Sequence, residues 1–289
     1  MPRETAGILT LFACVLASAA PAAAEWTTTF VDAFDGSALD RTRWKTADYW
    51  GNRNLPGNDE RQCYRDDAFA VADGVLTIRA TRRETPAGKC HPAEAALPYA
   101  SGMITTAGCN PHETGPACED LERFTQAYGY FEMRARLPAG KGFWPAFWLL
   151  PEDGAWPPEI DVLEWLGDDR DTAFMTYHYE TPEGDHEMAQ GAFDGPDFSE
   201  AFHRFGLLWT PDRLVWYVDG VERFRVEDVP LPDTPMYLLV NLAVGGTWPG
   251  EPDETTPFPA AMEIDRVRVH AWTGPGDPPG PPDPEAGER

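Results

Sequence analysis

Apolar and polar residues alternate with a period of two over many short stretches of this chain, and Gly, Pro, Asp and Asn separate one stretch from the next. That is the pattern of half-buried antiparallel strands. Helical periodicity is nearly absent. Strands are expected over residues 75–80, 128–137, 143–150, 159–166, 174–179 and 202–210, with a further pair over 236–244 and 262–272. Residues 214–218 and 222–226 flank Asp219-Gly220, a dipeptide that tolerates positive φ at both central positions and so marks a two-residue hairpin. So many strands without alternating helices predict an all-β fold, with two antiparallel sheets packed as a jelly-roll-like sandwich.

The ends read differently. Residues 1–24 carry Arg3, an apolar run over 7–20 and Ala22-Ala23-Ala24, the layout of a secretory signal peptide with a small-residue cleavage site. Lipoprotein attachment at Cys14 is the alternative. No later segment has the roughly 20 consecutive apolar residues of a membrane span. One all-β domain is expected over 25–272, followed by a Pro/Gly-rich acidic tail over 273–289 that is too polar to bury a core and is expected to be disordered. The reading is therefore a secreted protein, extracellular or periplasmic, acting as a monomer.

A formal net charge of −25 repels nucleic acid and anionic membrane surfaces, which argues against both as partners and favours a neutral one. Cys63, Cys90, Cys109 and Cys118 permit two disulfides in an exported chain. Cys109 and Cys118 bracket a Pro/Gly-rich loop, so Cys109–Cys118 with Cys63–Cys90 is the simplest of three possible pairings.

Candidate chemistry lies in Trp156-Pro157-Pro158-Glu159-Ile160-Asp161-Val162-Leu163-Glu164-Trp165. In a strand Glu159 and Asp161 share one face while Ile160 and Val162 enter the core. Glu164 has the wrong parity and would be driven inward, where an unpaired carboxylate costs several kcal/mol. A one-residue bulge at Val162-Leu163 removes the conflict and aligns all three acids. The backbones of the two glutamates are then about 13 Å apart, and converging side chains can approach the roughly 5–5.5 Å separation of a retaining glycosidase. Crowded carboxyls raise the proton affinity of at least one of them, which suits a general acid. Nearby Trp148, Trp156 and Trp165 are poor company for a merely solvated acidic face.

With these residues in view, the chain resembles glycoside hydrolase family 16, the laminarinase and lichenase group, over residues 28–272. The bulged signature is Glu159-Ile160-Asp161-Val162-Leu163-Glu164. Further family-like runs are Asn58-Asp59-Glu60-Arg61-Gln62, Trp144-Pro145-Ala146-Phe147-Trp148 and Gly245-Gly246-Thr247-Trp248-Pro249-Gly250. The resemblance implies a concave sheet with an open sugar cleft, Glu159 as nucleophile, Glu164 as acid/base and Asp161 tuning the nucleophile. It implies sugar contacts from Asn58, Trp144, Trp148, His178, Asn241 and Trp248. No cofactor is required for catalysis. A structural calcium is expected at Asp265 and the Gly74 carbonyl, although Ala33 stands where many relatives have a carboxylate.

The bulged motif resembles laminarinase-type members, so the expected partner is a β-glucan polysaccharide cut at internal β-1,3 or mixed β-1,3/1,4 linkages with retention. Bacterial exopolysaccharides of the succinoglycan kind and galactans are the alternatives. A carbohydrate-binding protein without catalysis and a transglycosylase are the rivals from other classes.

Overall fold

The computed structural model describes residues 25–88, 90, 96–109 and 121–283. The alternation is realised there as sixteen strands: β1 (Trp26–Asp32), β2 (Gln62–Tyr64), β3 (Phe69–Ala72), β4 (Val75–Thr85), β5 (Leu97–Ser101), β6 (Met103–Thr105), β7 (Gly129–Arg136), β8 (Phe143–Pro151), β9 (Glu159–Leu166), β10 (Asp169–Glu180), β11 (His186–Asp194), β12 (His203–Trp209), β13 (Leu214–Val218), β14 (Val221–Val226), β15 (Met236–Val244) and β16 (Ala260–Trp272). A single 3-10 turn, Pro56–Asn58, is the helical element among the described residues. No helix among them is long and apolar enough to cross a membrane.

Ten strands form one sheet in the order β14-β13-β12-β7-β16-β4-β5-β2, with β1 beside β16 and β3 beside β4; six form the other, in the order β11-β10-β9-β8-β15-β6. Neighbours are antiparallel, as expected, apart from a short parallel contact of β2 with β5. Inward residues of both sheets make one core, in which Phe131, Leu207, Trp209, Trp216 and Val267 from the larger sheet meet Phe147, Ile160, Val162, Trp165 and Val240 from the smaller. Each such side chain contributes roughly 1.5–3 kcal/mol by leaving water, so a register slip that turned one strand over would cost several of these at once. The last two expected strands, 236–244 and 262–272, lie in opposite sheets as β15 and β16. The Asp219-Gly220 hairpin joins β13 to β14 with φ of 51° and 76° at its two residues.

β15 is buried on both faces. Its inward residues join the main core, while Tyr237 and Leu239 pack outward with Tyr49, Tyr64, Met103 and Trp148 in a second cluster. The segment carrying Tyr49 and Tyr64 thus covers one part of the smaller sheet's outer face. The remainder of that face is open and forms the cleft described below.

Cys63 and Cys90 are joined in a disulfide, as expected. The expected Cys109–Cys118 bridge falls partly outside the described residues. Of the tail, residues 273–283 are described, and they make contacts with the domain. Thr273 bonds the Glu25 carbonyl through its amide and hydroxyl, the Trp272 indole donates to the Gly276 carbonyl, Arg213 pairs with Asp277 at 2.7 Å, and Pro282 is buried. Proline needs no hydrogen-bond donor of its own, so an extended Pro-rich segment can lie against a surface without forming a strand. Truncation after Trp272 is expected to lower the unfolding midpoint by about 2–4 °C, the shift for a loss of ~1 kcal/mol in a domain of this size. An unchanged midpoint in a thermal melt would show that the segment contributes nothing.

Candidate active site

β9 carries the chemistry, and its pairing shows how. Against β8, Leu163 pairs with Phe147 and Asp161 with Trp148, so Val162 is the extra residue. Against β10, Glu164 faces Phe174 and Asp161 faces Thr176 with the same irregularity. Val162 and Leu163 both enter the core, and Glu159, Asp161 and Glu164 emerge on one face, as the bulge expectation required. From the opposite sheet, the buried Trp216 indole donates to the Asp161 carbonyl at 2.8 Å, which satisfies a main-chain acceptor at the irregularity.

The two glutamates, Glu159 and Glu164, line an open cleft of about 740 Å³ together with Leu55, Asn58, Trp144, Trp148, Trp156, Phe174, Thr176, His178, Met188, Gln190 and Trp248 among others. Strand parity builds these walls. On β10, Phe174, Thr176 and His178 stand opposite Glu164, Asp161 and Glu159 in turn, and β11 adds Met188 beside His178 and Gln190 beside Thr176.

Each acid has its own surroundings. Glu159 accepts from the Trp156 indole at 2.7 Å; burial raises its proton affinity, while that bond and one from Asp161 lower it. Asp161 is raised well above the usual carboxylate range, by burial first and then by the charges of Glu164 and Glu159. Glu159 is raised too, by burial, but the hydrogen bond between the two raises Asp161 and lowers Glu159, so Asp161 is the member that keeps its proton to higher pH. Glu164 is pushed up to about 7, mainly by burial and the charge of Glu159, against a favourable bond from Thr176. The Thr176 hydroxyl donates at 3.1 Å and is itself held by Gln190. One carboxylate is thus poised for attack and one carboxylic acid for proton donation, which is the division of labour in glycoside cleavage.

His178 stands beside this pair, with Nε2 3.5 Å from Asp161 Oδ2 and Nδ1 3.0 Å from His186 Nε2. Burial and the neighbouring imidazole hold it below its usual pKa, hence neutral. His186 also packs on Trp156, with ring centroids 4.8 Å apart.

Of the expected sugar contacts, Asn58, Trp144, Trp148, His178 and Trp248 line the cleft. Trp248 meets Trp144 and Phe174 edge-on. Asn241 does not line it. Its amide accepts from the Trp148 indole at 2.7 Å and donates to the Tyr64 hydroxyl at 3.0 Å, so it fixes the cleft floor from beneath. Its place on β15 opposite Ala146 puts it on the cleft side, but the covering segment with Tyr64 closes over it. Trp165, which the sequence grouped with the acids, is a core residue. Thr176, His186 and Gln190 escaped the sequence reading. Thr176 was within reach, since it lies two residues before His178 on the same strand face.

At the expected calcium position, Asp265 Oδ2 is taken by Arg134, whereas Oδ1 is buried without a hydrogen-bond partner. That single orphaned oxygen suits a hard cation. At Gly74, whose φ is +74°, the Ala33 carbonyl and the Asp35 carboxylate lie 3.8 and 3.9 Å from where a Cβ would stand.

A two-sheet sandwich bearing paired glutamates on a bulged strand in a tryptophan-lined groove defines a glycosidase-type fold and site. The chain belongs to the glycosyl hydrolases family 16, whose model matches residues 64–267. It is 38% identical over 261 residues to the endo-1,3-1,4-beta-glycanase EglC of Rhizobium meliloti (strain 1021), covering 85% of this chain and 52% of that one. It is 32% identical to the beta-glucanase of Rhodothermus marinus, covering 94% and 96%. Among solved structures, the laminarinase catalytic domain from Thermotoga maritima MSB8 superposes with a TM-score of 0.72 at 32% identity, covering 85% of this chain and 98% of that one. The chain spans about half the length of the Rhizobium meliloti relatives it matches.

The Thr176 bond favours ionised Glu164, so removing it raises the pKa further. Because the protonated acid is the form that donates to a leaving group, activity falls as pH rises through that value. In Thr176→Val the alkaline limb of kcat/KM is expected to move to higher pH than in the parent. A limb that stays put or moves down in the pH–rate profile would mean that another group sets it.

Proposed function

We propose that this protein is a secreted endo-glycosidase that hydrolyses internal β-1,3 or mixed β-1,3/1,4 linkages of glucans with retention, acting as a single chain. Glu159 is the nucleophile. Its carboxylate attacks the anomeric carbon while Glu164 gives its proton to the departing oxygen, forming a glycosyl-enzyme. Glu164, now ionised, takes a proton from water as that water attacks the same carbon and frees Glu159. Asp161 shares a hydrogen bond with Glu159 that lowers the proton affinity of Glu159, and so tunes the nucleophile without being consumed.

The observation that carries this reading is the emergence of Glu159 and Glu164 on one face across the Val162 bulge, with donors placed differently on each. Relatives named for 1,3-1,4 activity at 38% and 37% identity support a cleft that accepts both linkages. The flat indoles of Trp144, Trp148 and Trp248 offer faces to sugar C–H groups, and Asn58 offers an amide at the rim. The disulfide between Cys63 and Cys90 supports an oxidising compartment, in keeping with a signal peptide at residues 1–24.

Glu159→Ala is expected to lose hydrolysis and to regain turnover with azide, giving a product of inverted anomeric configuration by NMR. A variant that azide cannot rescue would remove Glu159 from the nucleophile's role. The parent, incubated with laminarin, lichenan, agarose and succinoglycan, is expected to release oligosaccharides from the first two. Release only from succinoglycan or agarose would move the substrate to exopolysaccharide or galactan, and binding without release from any would make the protein a lectin.

We further propose a structural calcium at Asp265 with the Gly74 carbonyl, away from the chemistry. Adding calcium to chelated protein is expected to raise the unfolding midpoint, and Asp265→Asn to abolish the rise. An equal rise in both would place the ion elsewhere.

A further inference from the structure

One oxygen each from Glu159 and Asp161 and one nitrogen of His178 all lie within 4.8 Å of one another. This set does more than a pair of catalytic carboxylates needs. Asp161 Oδ2 is buried, with the side chain only 4% exposed, and has no hydrogen-bond partner. Leaving such an atom unpaired costs free energy. It points toward His178 Nε2 at 3.5 Å, and a cation between them would satisfy both.

The outer groups match a metal site as well. A metal-ligating imidazole is oriented by a partner at its other nitrogen, and His178 Nδ1 is held by His186 at 3.0 Å. Glu159 is fixed by the Trp156 indole. One imidazole and two carboxylates, with a fourth position open to the cleft, is a donor set suited to zinc. Calcium would prefer more oxygens and no nitrogen.

We infer that Glu159, Asp161 and His178 Nε2 form a binding site for a zinc-class divalent ion, which occupies the nucleophile and holds the enzyme inactive. The ion and the substrate use the same carboxylate, so they compete. The inhibitory consequence rests on the glycosidase reading; the binding does not, because it is measured without substrate.

The test is a calorimetric titration of the chelator-stripped full chain with zinc, repeated with cobalt while its visible absorption is recorded. One ion per chain is expected, with a cobalt spectrum of a low-coordinate nitrogen-oxygen site. His178→Gln and Asp161→Asn are each expected to weaken binding by at least about tenfold, with circular dichroism and the melting midpoint checking that each variant is folded. Glu159→Gln serves as the third arm should either fail to fold. Asp265→Asn, on β16 of the other sheet, is expected to leave the affinity unchanged. Zinc is also expected to raise KM for laminarin, reversibly on adding chelator. The inference is overturned if zinc does not bind up to millimolar concentration, or if binding survives in the three site variants. It is equally overturned if His186→Gln abolishes binding while Asp161→Asn keeps it, since the ion would then sit between the two imidazoles.

Discussion

The site rests on one extra residue in one strand. Were Val162 paired in the ladder like its neighbours, Glu164 would turn into a core filled by Phe147, Ile160 and Trp165, where its charge would cost several kcal/mol. With Val162 bulged out of the pairing, Val162 and Leu163 turn inward in succession and the next residue comes out beside Asp161. The bulge is anchored from across the sandwich by the Trp216 indole on the Asp161 carbonyl. The hydrophobic core and the reacting groups are thus two faces of the same local irregularity, and a change to Trp216 reaches the cleft through the backbone.

Crowding then does the electrostatic work. Burial alone would raise all three carboxyls alike. What separates them is the distribution of donors: a Trp156 N–H and the Asp161 proton on Glu159, and a Thr176 hydroxyl on Glu164. The neutral His178 adds no charge to the cluster, so the proton count is set among the acids. Glu164, held at about 7 by burial and the charge of Glu159, is then the member of the glutamate pair placed to carry a proton near neutrality.

How much of this was legible follows from where the signal comes from. Strands with one face in the core announce themselves, and β9, β13 and β15 have the expected bounds. The DG turn and the bulge were legible too, the latter because a carboxylate of the wrong parity is a physical contradiction that only an insertion resolves. β11 was not. It is an edge strand exposed along most of its length, so it has no apolar alternation to read, and His186, Met188 and Gln190 were missed with it. The short strands β2, β3, β5 and β6 carry too few residues for a period. Asn241 lies beneath the cleft floor rather than on it, because sequence shows which face a residue takes, but not what a distant loop lays over that face.

That distant loop is itself fixed by a polar network that has no slack. Buried Glu60 accepts from Asn58, Gln62 and Tyr64, which lets a carboxyl remain inside at tolerable cost because its lone pairs are used. Gln62 also accepts from the Val244 amide, the Arg61 amide donates to the Val244 carbonyl, and the Thr247 amide donates to the Asn58 carbonyl. The segment with Asn58 is therefore tied to the end of β15 and to the turn carrying Trp248, and through Tyr64 and Asn241 to the Trp148 indole. The Asn58 rim, the Trp148 floor and the Trp248 wall of the cleft are one connected unit. Their geometry is set by hydrogen bonds within the protein rather than by anything bound in the groove.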